Sequence, residues 1–311
     1  MKKPSNILGA FAIICGSLMQ ETNAQLPQVA SGKLVRHADF KSGFVTARNV
    51  DVWLPEGYDG KEKYAVLYMH DGQALYDSNI TWNRQAWNVD ETLGRLIKEG
   101  KVRKTIVVGV WNGGATRHPD YFPQKPFETL SPSFKDSLLS GNGMPNNMKL
   151  FPDGVSSDNY LKFLVQELKP FIDQTYKTHS GAENTFVMGS SMGGLISLYA
   201  ICEYPQVFGG AACLSTHWPG IFSMENNPVP ASFIHYLDTH LPDKRHHKIY
   251  FDYGTATLDS LYPPLQVAAD EVMKKHGWAP KNWVTLDFPG ADHSEKSWAA
   301  RLDKPLVFLL K

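Results

Sequence analysis

Six apolar runs of strand length, set among helical patterns, constrain the fold of this chain more than any other feature. They fall at 64–69, 105–110, 185–188, 209–214, 249–251 and 284–288. Runs that are apolar throughout, rather than at every second position, belong to strands covered on both faces. Strands of that kind alternating with helices give a mostly parallel sheet flanked by helical layers. An earlier stretch, 45–54, alternates apolar and polar residues around Val45, Ala47, Val50 and Val52 and predicts an antiparallel pair at the start of the sheet. Tyr160, Phe163, Leu164, Leu168, Phe171, Ile172 and Tyr176 recur at helical spacing, and Pro170 is expected to kink the helix they form. With 311 residues, 42% hydrophobic and 20% charged, the chain has material for a substantial core, which excludes disorder as its main state. The longest irregular stretch, 124–158, reads either as a lid or substrate wall or as a plain surface insertion.

The N-terminus reads as an address. Lys2 and Lys3 precede an apolar stretch, 7–19, that is too short to span a bilayer, and Thr22-Asn23-Ala24 offers a small-x-small cleavage site. The expected organisation is a signal peptide over 1–24, a short tether over 25–33 and one α/β domain over 34–311, exported to the periplasm or outside the cell. Cys15 follows Ile14, too bulky for a lipid-attachment signal. No later segment has 18 apolar residues in a row, so no membrane span is expected. Lys plus Arg and Asp plus Glu balance at 31 each, which gives no broad attraction for nucleic acid. Three cysteines make neither a disulfide scaffold nor a zinc motif, and Cys202 and Cys213 are expected to be free core thiols. Neither a metal ligand set nor a cofactor motif is found, so none is expected.

The chemistry is concentrated at Gly189-Ser190-Ser191-Met192-Gly193, a G-x-S-x-G pattern between an apolar run and an apolar helix. That context is a nucleophile elbow, which would lift the Ser191 hydroxyl out of a sharp turn near the helix amides. A serine hydroxyl needs a base. His293, in Gly290-Ala291-Asp292-His293-Ser294, lies just past the last apolar run, at the carboxyl end of a parallel strand. His240, His246 and His247 fall in a charged linker and read as solvated surface, while His118 and His217 lie in loops nearer the same edge. An acid to orient His293 should come from the loop after the preceding strand, where Asp252 and Asp259 compete. Two backbone amides should bind the oxyanion, one from Met192, the residue after the nucleophile. The other is assigned to Gln73, which follows the run 64–69 through His70-Asp71-Gly72, with Gly72 allowing the turn.

Taken together, Tyr68-Met69-His70-Asp71-Gly72-Gln73, Val107-Val108-Gly109-Val110-Trp111-Asn112, Gly189-Ser190-Ser191-Met192-Gly193-Gly194 and Gly290-Ala291-Asp292-His293-Ser294-Glu295 resemble the putative-esterase family of α/β hydrolases. That family includes feruloyl and acetylxylan esterases, enterochelin esterases, S-formylglutathione hydrolases and mycolyltransferases, and the resemblance covers roughly 45–305. It implies an α/β-hydrolase fold, Ser191 as nucleophile, His293 as base and the Gln73 and Met192 amides as oxyanion hole. It also implies Arg117 and Tyr121 at the substrate entrance. One departure lies in the acid loop: several relatives carry a carboxylate soon after the Gly-Thr pair, whereas here Gly254-Thr255 is followed by Ala256, Thr257 and Leu258. Asp259, five residues past Gly254 and beyond the strand's carboxyl end, is therefore assigned as the acid, and Asp252, inside the strand, is expected to matter for stability.

The sequence thus points to a secreted serine esterase acting through an acyl-enzyme on a small-molecule or polysaccharide-linked ester. Trp82, Trp111 and Trp218 in loops fit a sugar- or phenolic-ester substrate. Two other readings use the same residues differently: an acyltransferase with the same triad, and a non-catalytic carbohydrate-binding protein on a hydrolase fold.

Overall fold

The computed structural model describes residues 25–141 and 149–311; the expected signal peptide lies outside the described residues. Eight strands, β1 Lys33–Phe40, β2 Arg48–Leu54, β3 Ala65–His70, β4 Thr105–Val110, β5 Thr185–Ser190, β6 Gly210–Leu214, β7 Lys248–Gly254 and β8 Trp283–Phe288, form one sheet. Its order is β1-β2-β4-β3-β5-β6-β7-β8. The β1–β2 and β2–β4 pairs are antiparallel, and every pair from β4 to β8 is parallel. The six apolar runs are the six parallel strands. The antiparallel start is present too, but β1 begins at Lys33, earlier than the alternation at 45–54 indicates.

Helix α1, Val89–Lys98, joins β3 to β4, and α2 Arg117–Tyr121, α3 Gln124–Glu128, α4 Pro132–Ser140, α5 Ser157–Lys162 and α6 Lys169–Thr175 lie between β4 and β5. The remaining connections are α7 Met192–Glu203, α8 Val229–His240 and α9 Pro263–Lys275, and α10 Glu295–Arg301 and α11 Asp303–Leu310 follow β8. The chain is an α/β-hydrolase fold, a largely parallel sheet with a helical layer on each face.

Strand periodicity sorts the core into two layers. In β3, Val66 and Tyr68 face the layer holding Leu164, Leu195 and Phe233, while Ala65, Leu67 and Met69 face the layer holding Leu93, Leu302 and Leu306. Phe186 and Met188 of β5 and Tyr250 of β7 fall in the second layer, whereas Val187, Ile249 and Phe251 fall in the first. Since both sets are buried, each strand must be apolar at every position. Cys202 and Cys213 are free and buried in the first layer.

Two local expectations gain detail. The helical pattern runs on through Pro170. Residues Phe163–Leu168 adopt a π turn between α5 and α6, so Pro170 sits in the first turn of α6, where its missing N–H costs least. The tether 25–33 is docked rather than loose: the amides of Gln28 and Ala30 donate to Asp77 and Asp90, and Trp53 Nε1 donates to the Ser31 carbonyl at 2.8 Å.

Leu67 lies in the central strand β3 with no exposed surface. Leu67→Ala is expected to destabilise the fold by about 2–5 kcal/mol through lost burial and a residual cavity. Val267→Ala, at a half-exposed position on α9, should change stability by less than about 0.5 kcal/mol. Urea unfolding of the two variants checks this contrast, and a mild Leu67→Ala would mean that the layer can collapse around the gap.

Candidate active site

The elbow is built by close contact between glycines. A Cβ on Gly189 would come within 2.8 Å of the Gly193 backbone, so the strand and the helix that follows it can approach this closely only without side chains. Ser191 between them has φ 59° and ψ −123°, a strained conformation for a residue with a side chain. Backbone bonds hold it there: the Ser191 amide donates to the Leu214 carbonyl at 2.9 Å, and the amides of Gly194 and His217 donate to the Ser191 carbonyl at 3.0 and 3.1 Å. Helix α7 behind it is buried on every side from Met192 to Cys202, which fixes the direction in which the turn points.

His293 sits between β8 and α10, in a loop laced to the loop after β7. The amides of Thr255 and Ala256 donate to the Ala291 carbonyl, and the His293 amide donates to Thr257 Oγ1 at 2.9 Å. Gly254 lies so close to Ala291 that a Cβ would fall 2.2 Å from its carbonyl oxygen. This lacing brings His293 Nδ1 to 2.5 Å from Asp259 Oδ1. The other carboxylate oxygen accepts from the Gly254 amide at 2.6 Å and from Ser215 Oγ at 2.5 Å. Burial alone would raise the Asp259 carboxyl, but the hydrogen bonds from His293, Ser215 and Gly254 outweigh it and hold the group below its ordinary value. Asp252 points elsewhere, accepting from Arg301 at 2.8 Å and from the Tyr250 hydroxyl at 2.9 Å. Its burial outweighs the pull of Arg301 and pushes it up to about 6.

Ser191 and His293 open onto one cleft of about 810 Å³, walled by Gln73, Trp82, Trp111 and Trp298 among others. Met192 is the first residue of α7, so its amide has no partner within the helix. Gln73 lies in the single turn Gly72–Ala74 that follows Asp71. The positive φ of this loop is at Asp71, 55°, not at Gly72. Gly72 is required for a different reason: a Cβ there would meet the Gly109 backbone at 2.6 Å. Asp71 accepts Arg117 in a bidentate pair at 2.7 and 2.8 Å and Asn112 Nδ2 at 2.7 Å. Asp71 is thereby kept below its usual range despite burial.

Several expected contacts are not made. Arg117 does line the cleft, although its guanidinium is engaged by Asp71. Tyr121 is fully buried beneath it, its hydroxyl accepting from the Asp71 amide, and Trp218 is buried with Nε1 donating to Gln266 Oε1 at 2.9 Å. Neither reaches the cleft, so both are removed as substrate contacts. His217 is buried against the Tyr262 hydroxyl at 2.9 Å. His247, expected on the solvated surface, is buried with both ring nitrogens on carbonyl oxygens. The described part of 124–158 holds α3, α4 and the start of α5 and packs Phe127, Leu138 and Phe151 into the core. None of its described residues lines the cleft.

Conversely, sequence reasoning missed Ser215, Trp298 and Tyr262. The Trp298 ring meets His293 edge-on at 5.0 Å, and the Tyr262 ring meets it at 5.8 Å. Among the described residues, no group of His, Cys, Asp and Glu could hold a metal ion, and no helix is long and apolar enough to cross a membrane.

Comparison with known proteins agrees with this architecture. The family model described as "Putative esterase" matches residues 43–137 and 144–309, and the chain belongs to that family. Among solved structures, it is similar to a CE1 ferulic acid esterase from Anaeromyces mucronatus, determined with ferulic acid. That likeness has 20% identity and a TM-score of 0.61 and covers 91% of this chain and 92% of that one. An IroE-like serine hydrolase from Shewanella oneidensis superposes with a TM-score of 0.62 at 19% identity, over 89% of this chain and 78% of the other. Among curated sequences, the uncharacterized protein YbbA of Bacillus subtilis (strain 168) is 24% identical over 173 residues, which cover 55% of this chain and 58% of YbbA.

Two buried histidines give the fold an acid sensitivity. Burial holds His70 and His217 neutral, each pushed down to about 3. The unfolded chain protonates both near 6.5, so it binds more protons below that pH and stability falls as the pH drops. Each should cost on the order of 2 kcal/mol by pH 5. Unfolding of His70→Gln and His217→Gln at pH 7 and pH 5 should show a smaller acid loss than the wild type. Parallel curves for variant and wild type would assign the loss to other groups.

Proposed function

We propose that this chain is an exported serine esterase that cleaves carboxylic esters through an acyl-enzyme, with Ser191, His293 and Asp259 as its triad. The observation that carries the reading is that a serine on a strained elbow and a histidine held at 2.5 Å by a fully buried aspartate open onto the same cleft. In this mechanism Ser191 Oγ attacks the ester carbonyl carbon while its proton passes to His293 Nε2. The amides of Gln73 and Met192 receive the oxyanion, an electrostatic contribution commonly worth a factor of about 10²–10³ per donor. His293 then gives the proton to the departing alcohol and takes one from the water that attacks the acyl carbon, and it returns that proton to Ser191 Oγ as the acid leaves. Asp259 fixes the imidazole tautomer and stabilises the imidazolium without taking the proton.

For the substrate we propose a sugar or phenolic ester. Supporting this are the exposed Trp82 and the half-buried Trp111, whose rings flank the cleft and give a flat group a stacking surface, and the ferulic acid bound by one structural neighbour. Export is supported by the basic, apolar and small-residue pattern of residues 1–24.

Ser191→Ala is expected to abolish both turnover and covalent labelling by a fluorophosphonate. Asp259→Asn should lower kcat by about two to four orders of magnitude with folding intact. Asp252→Asn should instead lose stability, by about 3 kcal/mol, because the buried Arg301 would lose its 2.8 Å carboxylate partner and keep only Ser215 and, at 4.0 Å, Asp259. Kinetics with aryl esters and urea unfolding of all three variants decide the matter. A normally folded Asp252→Asn that loses turnover, beside an Asp259→Asn at wild-type rate, would move the acid to Asp252.

A further inference from the structure

We propose that Ser215 is a positioning residue of this site, its hydroxyl holding the outer oxygen of Asp259 so that the inner oxygen faces His293, and joining that carboxylate to a second buried ion pair, Asp252 with Arg301. The proposal rests on the triad reading above.

Ser215 follows β6 directly and has φ 42°, in the left-handed region that residues other than glycine and asparagine avoid. It has no exposed surface. Backbone needs alone would be better met there by glycine, so the serine side chain must contribute something that offsets the strain.

Its hydrogen bonds show what that is. A carboxylate only accepts, so at 2.5 Å the Ser215 hydroxyl donates to Asp259 Oδ2. Its two lone pairs are then taken by Trp298 Nε1 and an Arg301 terminal nitrogen, both at 2.9 Å. That Arg301 nitrogen also donates to Asp252 Oδ1 at 2.8 Å and stands 4.0 Å from Asp259 Oδ2. The Ser215 amide donates to the Asp252 carbonyl at 2.7 Å and reaches Asp252 Oδ1 at 3.3 Å. One residue therefore spans the two buried carboxylates and uses its full hydrogen-bonding capacity doing so.

The 4.0 Å gap gives this arrangement its consequence. Asp259 has two cations within reach, the imidazolium that forms on His293 and the permanent guanidinium of Arg301. Its other ionisable neighbour is Tyr262, while Tyr250 faces Asp252 and the buried His217 is held on Tyr262. Ser215 Oγ occupies the place between Oδ2 and Arg301, donating to Oδ2 and accepting from Arg301. Without the hydroxyl, Oδ2 keeps only the Gly254 amide and can rotate onto Arg301, drawing Oδ1 away from His293. An imidazolium that loses its carboxylate is harder to form, so catalysis weakens and the protonated form is favoured less.

The test uses Ser215→Ala and Ser215→Gly in the full chain, with p-nitrophenyl acetate as substrate and Ser191→Ala alongside. Glycine accepts φ 42° without strain, so Ser215→Gly keeps the backbone while removing the hydroxyl. Both variants are expected to lose about 10–100-fold in kcat with KM within about twofold, as a small misplacement of a catalytic group costs. The acidic limb of kcat/KM should move to lower pH. Thermal unfolding establishes that the variants are folded. A folded variant with unchanged kcat and an unmoved limb overturns the proposal, as does a limb that moves upward, which would mean that Ser215 tunes basicity instead of position. Failure of both variants to fold would make Ser215 a folding residue and overturn it equally. Turnover retained in Ser191→Ala is a separate result, which strikes the triad reading itself.

Discussion

A charged carboxylate with no exposed surface is the element on which the carboxyl-end architecture depends. Taking such a group out of water costs several kcal/mol unless hydrogen bonds and a counter-charge replace the lost solvation. Asp259 is supplied by the Gly254 amide, Ser215 and His293. Each of these comes from a different part of the chain, so β6, β7 and the loop after β8 must all be in place before the charge can be buried. The close packing of Gly254 on Ala291, the paired amides of Thr255 and Ala256, and the Thr257 bond to the His293 amide follow from that requirement. Asp252, inside β7, is buried under the same constraint but satisfied by Arg301 and Tyr250, which leaves it no route to His293.

The other side of the cleft is governed by strain. Asp71, Ser191 and Ser215 all have positive φ, and each lies just past the carboxyl end of a parallel strand. A sheet paired on both sides can hold such conformations because escape would break ladder bonds and reopen packed layers. The glycines that matter here serve approach more than flexibility: Gly72 lies on Gly109, and Gly189 on Gly193. The resulting loops leave Ser191 and His293 at one cleft while their supporting groups stay in the core.

Legibility in the sequence followed how local each signal was. The parallel strands were readable because burial on both faces forces unbroken apolar runs, and the elbow because its glycines and serine are contiguous. β1 escaped notice because, as an edge strand, it keeps Lys33, Arg36, His37 and Asp39 among its apolar residues. The pairing of His293 with Asp259 could be anticipated from one spacing, the distance of Asp259 past the end of its strand. Ser215, Trp298 and Tyr262 carried no local signal, since they meet the site only through the packing of β6, α9 and α10. Trp218 misled for the complementary reason: an aromatic residue in a loop reads the same whether it walls a cleft or lies beneath it, while Tyr121, placed at the entrance by the family resemblance, ends α2 and is buried. The stretch 124–158 looked irregular because α3 and α4 are short and proline-rich, although its apolar residues anchor it to the core.

The most direct measurement is the mass of the protein trapped during turnover. Rapid acid quenching of the enzyme with excess p-nitrophenyl acetate, followed by digestion and mass spectrometry, should find up to one acetyl group per chain, carried on the peptide that contains Ser191. Turnover without any acetylated chain, or an acetyl group on a peptide lacking Ser191, would contradict the account.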